Sequence, residues 1–425
     1  MRPVARPLVT GLALVCVASG LAACTAAGGG PLTAGTISAP AEILSLRTGD
    51  GPVTIDVRTG RVLLRAPGGM PQADWSELFQ TESHGGRTVL RTVDPTTGAD
   101  VSSVPLRGSL AIRAVAADGS RVALMPPSPP GTDPWAPVPR TRTTIVVADP
   151  SGATDPQTYH LRGNLEPEAF SGDGEVLFVI QYLPPAAPSL YRVAALELED
   201  GDIYPVVSRF KAVWARRMPG TRLEQVLAPD SRQLYTLYSS QPAAYAEGYD
   251  ATQAYADRPV AFVHVLNLED RWAFCLPLPK RLWDAPAGEQ AMAASPDGSR
   301  LYVVDPSRDT VAVVDAVKTK VRRSASVEFG TDDTAHAAAA VSPDGTTLYV
   351  GTGEALVALD TATLQVRFRW PTQTPVAALA ASGDGAALYA AFADRIDVLD
   401  PSSGDVRGSI PVGGALAIEH VAASA

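Results

Sequence analysis

The chain has 425 residues, of which 46% are hydrophobic and 19% are charged. This apolar content excludes a disordered chain, and the 36 Gly and 37 Pro favour many short strands and turns over long helices. The formal net charge of −10 at pH 7 opposes nucleic-acid binding, which requires a basic surface. The basic residues are mostly Arg, which together with abundant Ala, Gly and Pro is typical of a GC-rich genome such as an actinobacterial one.

The N-terminal segment indicates export. Two arginines precede the apolar stretch 8–18, which is too short to cross a bilayer as a permanent helix. The sequence Leu21-Ala22-Ala23-Cys24 then resembles the bacterial lipobox. The resemblance implies removal of residues 1–23 as a signal peptide and a diacylglyceryl group on Cys24; plain secretion after cleavage nearby is the alternative. Residues 24–41 are expected to be a flexible tether that holds a lipoprotein body outside the cell membrane.

The body of the chain repeats. Each unit contains a short apolar run, a turn with Asp-Gly or Asp-Ser, and an alternating apolar strand; Asp-Gly supplies the positive φ angles of a tight turn. A second apolar strand, ending in an acidic residue and a turn, follows in each unit. The first element occurs as close copies at 295–305, 342–352 and 382–392 and as weaker copies at 116–126, 171–181 and 228–238. The second element occurs eight times, beginning at residues 53, 89, 145, 194, 263, 311, 356 and 396.

Each unit divides into four antiparallel strands, A to D, and four short strands at this period predict the blade of a β-propeller. The units resemble the YVTN-type, WD40-like propeller repeats of secreted bacterial proteins, most clearly at 301–304 (LYVV) and 348–351 (LYVG). We therefore expect an all-β fold in which residues 42–425 form one propeller of eight four-stranded antiparallel blades. Seven blades is the alternative, because the A strand near residue 68 is poor. An array of immunoglobulin-like domains would also give regularly spaced strands.

The two ends of the repeat region complement each other. The first unit begins with a B strand at 42–48, whereas segment 415–424 follows the last D strand and has no blade of its own. We expect these N- and C-terminal strands to share one blade, which closes the ring and removes open sheet edges. The innermost A strands are expected to be small because they converge on the axis. The residues that support this are Ala291, Ala293, Ala294, Ala337 to Ala340, Ala377, Ala378, Ala380 and Ala381.

Long loops indicate where a ligand would bind. In a four-stranded meander the B–C and D–A connections share one face. Aromatic and Arg residues, the usual anchors of binding sites, collect in these connections. The alternative is that the loops only pack on one another and shield the ring. The long segments are 126–142, 182–190, 208–222, 239–259 and 277–290. The candidate binding residues are Trp135, Trp214, Arg216, Arg217, Tyr245, Tyr249, Tyr255 and Trp283.

The sequence predicts no catalytic residue, resident metal or cofactor. Asp297, Asp344 and Asp384 recur once per unit, which indicates a role in turns rather than in catalysis. His336 and His420 fall near the ends of A strands, so a metal site in the channel stays open as an alternative. Cys275 is expected to be a buried strand thiol.

Two functions are compatible with this pattern. The first is a lipid-anchored, extracytoplasmic and monomeric module that binds a protein, a peptide or a cell-wall ligand through the long-loop face. The second is a propeller enzyme, a lactonase-like hydrolase or a metal-dependent oxidoreductase, with its site at the central channel. Fold alone does not decide between them. The small A-strand residues favour the binding module, because an enzyme would need His, Asp, Glu or Arg to converge at the channel.

Overall fold

Short antiparallel strands make up nearly all of the regular structure. The computed structural model describes residues 39–129, 138–214, 217–218, 221–239, 261–283, 288–330, 337–353 and 355–424. These residues contain no α-helix, and none of their helical turns is long and apolar enough to span a membrane. The strands form eight sheets arranged in a ring, which is an eight-bladed β-propeller. The prediction of eight blades is confirmed, and the alternative of seven is wrong.

The strands of blades 1 to 4 come mainly from the first half of the chain. Blades 1 and 2 contain β1 (Glu42–Thr48), β2 (Pro52–Asp56), β3 (Val62–Arg65), β4 (Met70–Pro71), β5 (Leu78–His84), β6 (Arg87–Val93) and β7 (Asp100–Arg107). Blades 3 and 4 contain β8 (Ala111–Val115), β9 (Val122–Met125), β10 (Arg142–Ala148), β11 (Gln157–Arg162), β12 (Asn164–Phe170), β13 (Val176–Leu183), β14 (Leu190–Glu197) and β15 (Ile203–Pro205).

The remaining strands build blades 5 to 8 and complete blade 1. Blade 5 contains β16 (Val207–Ser208), β17 (Lys211–Trp214), β18 (Thr221–Leu227), β19 (Gln233–Ser239), β20 (Ala261–Asn267) and β21 (Trp272–Pro277). Blades 6 and 7 contain β22 (Ala291–Ala294), β23 (Arg300–Asp305), β24 (Thr310–Asp315), β25 (Lys320–Ser326), β26 (Ala338–Val341), β27 (Thr347–Gly351), β28 (Ala355–Asp360) and β29 (Val366–Pro371). Blade 8 contains β30 (Ala378–Ala381), β31 (Leu388–Ala391), β32 (Ile396–Leu399) and β33 (Val406–Ile410), and β34 (Ala415–Ala423) belongs to blade 1. Short 3-10 turns lie at Lys280–Leu282 and Pro306–Arg308.

The ring closes through a blade built from both ends of the chain. β34 pairs antiparallel with β1, which continues to β2 and β3, so β1 has a partner strand on each side. Glu42 then joins this blade to blade 8, because its carboxylate accepts hydrogen bonds from the Tyr389 hydroxyl at 2.5 Å and the Gly383 amide at 2.8 Å. The predicted sharing of one blade by the two ends is confirmed.

The hydrophobic core lies between adjacent blades. Alternate residues of a strand point to opposite faces, so each strand packs against both of its neighbouring blades. In β23, Leu301 and Val303 pack toward blade 5, whereas Tyr302 and Val304 pack toward blade 7. The eight predicted acidic-turn strands are the third strands of their blades, namely β2, β6, β10, β14, β20, β24, β28 and β32.

The recurring aspartates hold turns, as the sequence predicts. Ser295 donates a hydrogen bond to Asp297 Oδ1 at 2.5 Å and accepts one from the Arg300 amide at 2.9 Å. The hydrogen bond from Ser295 lowers the pKa of Asp297 below its usual value. Gly298 completes the turn at φ 67°, a left-handed conformation that glycine adopts without strain. Ser342 with Asp344 and Ser382 with Asp384 repeat this arrangement.

Blade 5 departs from the four-strand pattern, which corrects the expectation for segment 208–222. β16 pairs in parallel with the outer strand β21, and β17 pairs antiparallel with β16, so the sheet has six strands. Arg209 of this hairpin stacks over the Trp272 ring at 4.6 Å and donates to the Val317 carbonyl of blade 6 at 2.8 Å. The segment was expected to be a connection on the loop face. Part of it instead widens the outer edge of blade 5, through a pairing that the local sequence pattern does not show.

Candidate functional site at the channel and the loop face

Two of the long B–C loops meet beside the central channel. The Arg140 amide of the blade 3 loop donates to the Pro185 carbonyl of the blade 4 loop at 3.1 Å. Asn164, the first residue of the inner strand β12, donates through its side chain to the Val138 carbonyl at 2.8 Å and to Pro185 at 3.3 Å. These two loops are therefore fixed to each other and to the channel wall, and they share one face as the sequence predicts.

Glu166 anchors two arginines of blade 3 against the inner strand of blade 4. Its carboxylate forms an ion pair with Arg140, whose Nε donates to Asn164 Oδ1 at 2.8 Å. On the other oxygen, Arg113 Nε lies 3.2 Å away, and the Arg113 guanidinium also donates to Ser128 of the blade 3 loop at 2.8 Å. One carboxylate thus connects an inner strand, a loop and the neighbouring blade.

A second ion pair, more deeply buried, joins blades 4 and 5. The Arg222 guanidinium contacts both oxygens of Glu168, with N–O distances of 3.0 and 3.0 Å, and Gln225 donates to the same carboxylate at 2.8 Å. The side chains are 10% and 4% exposed. Burial lowers the pKa of Arg222, but the Glu168 carboxylate and the surrounding tyrosines together outweigh it and raise that pKa. Bidentate pairing is the geometry that best offsets the cost of burying two charges.

Glu224 is a titratable group of the inner strand β18. Its carboxylate accepts the Met292 amide of blade 6 at 2.5 Å, so it satisfies a donor on the open edge of the neighbouring inner strand. Burial raises the pKa of Glu224 to about 7, against the effects of this hydrogen bond and of Arg47. Arg47 belongs to blade 1, which lies opposite blade 5 in a ring of eight, and it pairs with Glu419 at 2.6 Å.

The inner wall overturns the expectation that A strands are small and apolar throughout the ring. The expectation is correct for β22, β26 and β30, which are rich in Ala. It is wrong for the inner strands of blades 1, 3, 4 and 5, which carry charged side chains. The turns that follow β8, β12 and β18 belong to weaker copies of the repeat, and the expectation was drawn from the Ala-rich copies of blades 6 to 8. The charged residues are Arg113, Glu166, Glu168, Arg222, Glu224 and Glu419.

The structure describes only some of the candidate binding residues. Trp283 is half-buried, donates to the Leu278 carbonyl at 3.0 Å and lies under Lys280 at 5.9 Å, so it stabilises its own loop. Arg217 is exposed and lies close enough to Arg192 to lower the pKa of that residue, in addition to the effect of burial. Trp214 lies in β17 at the outer edge of blade 5, and its side chain is outside the described part. Trp135, Arg216, Tyr245, Tyr249 and Tyr255 lie outside the described residues.

The histidines do not converge in the described part of the chain. His420 of β34 stacks on Trp75, with 6.5 Å between ring centroids, and burial lowers its pKa while Asp74 opposes the shift. His264 of β20 is 3% exposed, and His336 lies outside the described residues. No group of three His, Cys, Asp or Glu side chains suited to a metal ion occurs within the ranges that the structure covers.

A cavity of about 250 Å³ lies on the loop face next to the ion pair between Arg140 and Glu166. Pro126, Pro127 and Pro129 of the blade 3 loop form one side of it, and Arg140 and Arg142 line it as well. Proline surface beside guanidinium groups is suited to extended polar or acidic chains, because it combines apolar contact with charge.

The comparisons with known proteins concern the fold. No known family model matches the sequence, and no curated protein matches it. The structure of apo AztD from Citrobacter koseri is similar, with a TM-score of 0.52 at 12% identity over 88% of this chain and 95% of that one. Dihydro-heme d1 dehydrogenase NirN in complex with DHE gives a TM-score of 0.49 at 16% identity, over 88% of this chain and 74% of that one. Kuenenia stuttgartiensis hydrazine synthase gives 0.43 at 16% identity, over 89% and 100%. At 12% identity the likeness to AztD extends to the fold alone. The sheet topology identifies that fold: the chain is an eight-bladed β-propeller.

Proposed function

We propose that this propeller is a lipid-anchored, extracytoplasmic binding module whose long-loop face recognises a protein, a peptide or a cell-wall ligand. The observation that carries the proposal is the fixed meeting of the blade 3 and blade 4 loops on the channel wall at Asn164 and Arg140. A rigid scaffold that holds long loops on one face is the usual architecture of a binding site. The net charge of −10 supports a partner other than nucleic acid, and we take the module to act as a monomer without a cofactor.

The lipid anchor is supported by the sequence around Cys24, which resembles a lipobox after an apolar stretch. Two acyl chains tether a protein stably, because each buried methylene contributes about 0.8 kcal/mol. Cys24→Ala is expected to move the protein from the membrane fraction to the medium, whereas Cys275→Ala should leave it membrane-bound. Retention of the Cys24→Ala protein in the membrane would count against the anchor.

The binding face is tested with Tyr245, Tyr249 and Tyr255 replaced together by Ser. The control replaces Tyr204 and Phe368, exposed aromatics of the outer strands β15 and β29, by Ser. After cross-linking in intact cells, the triple variant is expected to lose the partner recovered with the wild type and the control to keep it. Equal recovery by all three proteins contradicts the assignment of the face. Co-sedimentation of the wild type, the triple variant and the control with isolated cell wall distinguishes a wall ligand from a protein partner.

An enzyme with its site at the channel is the second candidate, and Glu224 is the observation that favours it. A carboxyl group whose pKa lies near 7 can act as a general acid or base at neutral pH. If the chain hydrolyses lactones, Glu224→Gln should remove the activity and Glu199→Gln, an exposed control, should keep it. Equal turnover of a lactone panel by both variants, or none by the wild type, argues against this candidate.

A further inference from the structure

Two sulfur atoms meet between blades 4 and 5. The Cys275 thiol of β21 contacts the Met218 thioether, with an Sγ–Sδ distance of 3.3 Å. Met218 is 3% exposed, and its backbone exchanges hydrogen bonds with Tyr191 at 3.0 and 2.6 Å. The thioether is therefore held in place beside the thiol by both packing and backbone pairing.

An imidazole lies next to this thiol. His264 of β20 is directly opposite Cys275 in the antiparallel register, so both side chains project from the same face of blade 5. Phe262 and Leu266 share that face and pack against blade 4. His264 is itself 3% exposed, so the imidazole belongs to the same buried cluster as the thioether.

A buried hydroxyl group without a partner lies in the same cluster. Tyr238 is fully buried, its ring meets His264 edge-on at 6.3 Å, and it stacks on Tyr191 at 5.2 Å. Among the described residues its hydroxyl has no hydrogen-bond partner. A buried hydroxyl group without a partner is unfavourable, so a bound group in this cluster would supply a contact that the described residues do not. The nearby Arg222 is paired with Glu168, so the cluster has no excess positive charge to repel a cation.

We propose that Cys275, Met218 and His264 bind a single soft monovalent metal ion, Cu(I). Thiolate, thioether and imidazole together are donors that suit Cu(I), whereas a thioether contributes little to binding harder divalent ions. On binding, a Cu–S bond forms, the thiol proton passes to solvent and the metal keeps its oxidation state. The Tyr238 ring lies against Tyr191 and His264, so its hydroxyl belongs to the same buried cluster and is available to donate to the thiolate, as groups around metal ligands commonly do.

The test is an anaerobic titration of the full-length protein with Cu(I) in competition with bathocuproine disulfonate. We expect one Cu(I) per chain in the wild type, loss of that ion in Cys275→Ser, and at least about tenfold weaker binding in Met218→Leu. Met292→Leu is the matched control, because Met292 of β22 is equally buried at 3% exposure. Retention of the ion by Cys275→Ser, or equal affinities for Met218→Leu and Met292→Leu, would overturn the proposal.

A second measurement follows the thiol itself and does not depend on a variant that folds well. Maleimide labelling of the Cys275 peptide is quantified by mass spectrometry with and without one equivalent of Cu(I). We expect Cu(I) to slow labelling at least about tenfold and Zn²⁺ to leave it within about twofold, since one thiolate and one imidazole are too few ligands for the tetrahedral site that Zn²⁺ prefers. Unchanged labelling with Cu(I), or equal protection by both ions, would also overturn the proposal.

Discussion

The inner strands of blades 6 to 8 and those of blades 3 to 5 occupy equivalent positions but have opposite chemistry. β22, β26 and β30 are short and rich in Ala, and their side chains are largely buried against the adjacent blades. β8, β12 and β18 instead carry charged side chains that bridge one blade to the next across Glu166 and Glu168. Adjacent blades can therefore be joined at the axis in two ways, by close apolar packing or by ion pairs.

The two modes have different consequences for what the channel can do. The small apolar side chains of blades 6 to 8 can offer a ligand only packing contacts. Blades 3 to 5 instead present a titratable carboxyl group at Glu224 and arginines beside the long loops. Burying those charges is costly unless each has its partner. The polar wall and the long loops of blades 3 and 4 lie together, which is the arrangement expected when one sector of a ring departs from the repeat for function.

The largest expected effect comes from breaking the Arg222–Glu168 pair. Arg222→Met leaves a carboxylate that is 4% exposed without its bidentate partner, so we expect the free energy of unfolding to fall by about 3–5 kcal/mol. The double variant Arg222→Met with Glu168→Leu removes both charges and is expected to recover most of the loss. The midpoint of urea denaturation, followed by tryptophan fluorescence, measures both changes.

The matched control for this prediction is Arg47→Met. Arg47 and Glu419 are 44% and 32% exposed, so loss of that pair should change the stability by about 0–1 kcal/mol. Equal effects of Arg47→Met and Arg222→Met would show that burial does not distinguish the two ion pairs. A double variant no more stable than Arg222→Met would show that packing, and not charge, dominates at this position.

The eight blades and their closure could be predicted from the sequence, most directly in blades 6 to 8. The turns at Asp297, Asp344 and Asp384 repeat with a fixed spacing, and they identify strands and their order without any knowledge of tertiary contacts. Glu168 and Arg222 are 54 residues apart, and although the turns after them mark their strands, nothing local pairs the two side chains. The β16–β17 hairpin was missed for the same reason, since its partner β21 lies beyond three intervening strands.

A smaller effect is expected from Glu224 and depends on pH. Its pKa of about 7 in the folded protein exceeds its ordinary value of 4.5, so the folded state binds the proton more tightly than the unfolded state. The stability that Glu224 contributes is therefore full below pH 4.5 and is lost as the pH rises through about 7. Between these limits the wild type should lose about 1–3 kcal/mol relative to Glu224→Gln. Denaturation midpoints measured across this range test the difference, with Glu199→Gln expected to follow the wild type.

The smallest expected effect comes from a substitution that gives a turn of blade 5 the serine found in the turns of blades 6 to 8. Ala228 occupies the position of Ser295, since the Ala228 amide donates to Gln233 at 2.8 Å as the Ser295 amide donates to Arg300 at 2.9 Å. Asp230 follows two residues later, as Asp297 does.

A hydroxyl group at residue 228 would therefore find the same acceptor and donor. We expect Ala228→Ser to stabilise the protein by about 0.5–1.5 kcal/mol and Ser295→Ala to destabilise it by a similar amount. Thermal unfolding of the two variants checks the prediction. If Ala228→Ser destabilises, the added hydroxyl has stayed without a partner, because residue 228 is only 5% exposed. The turn of blade 5 would then differ from those of blades 6 to 8 in geometry as well as in sequence.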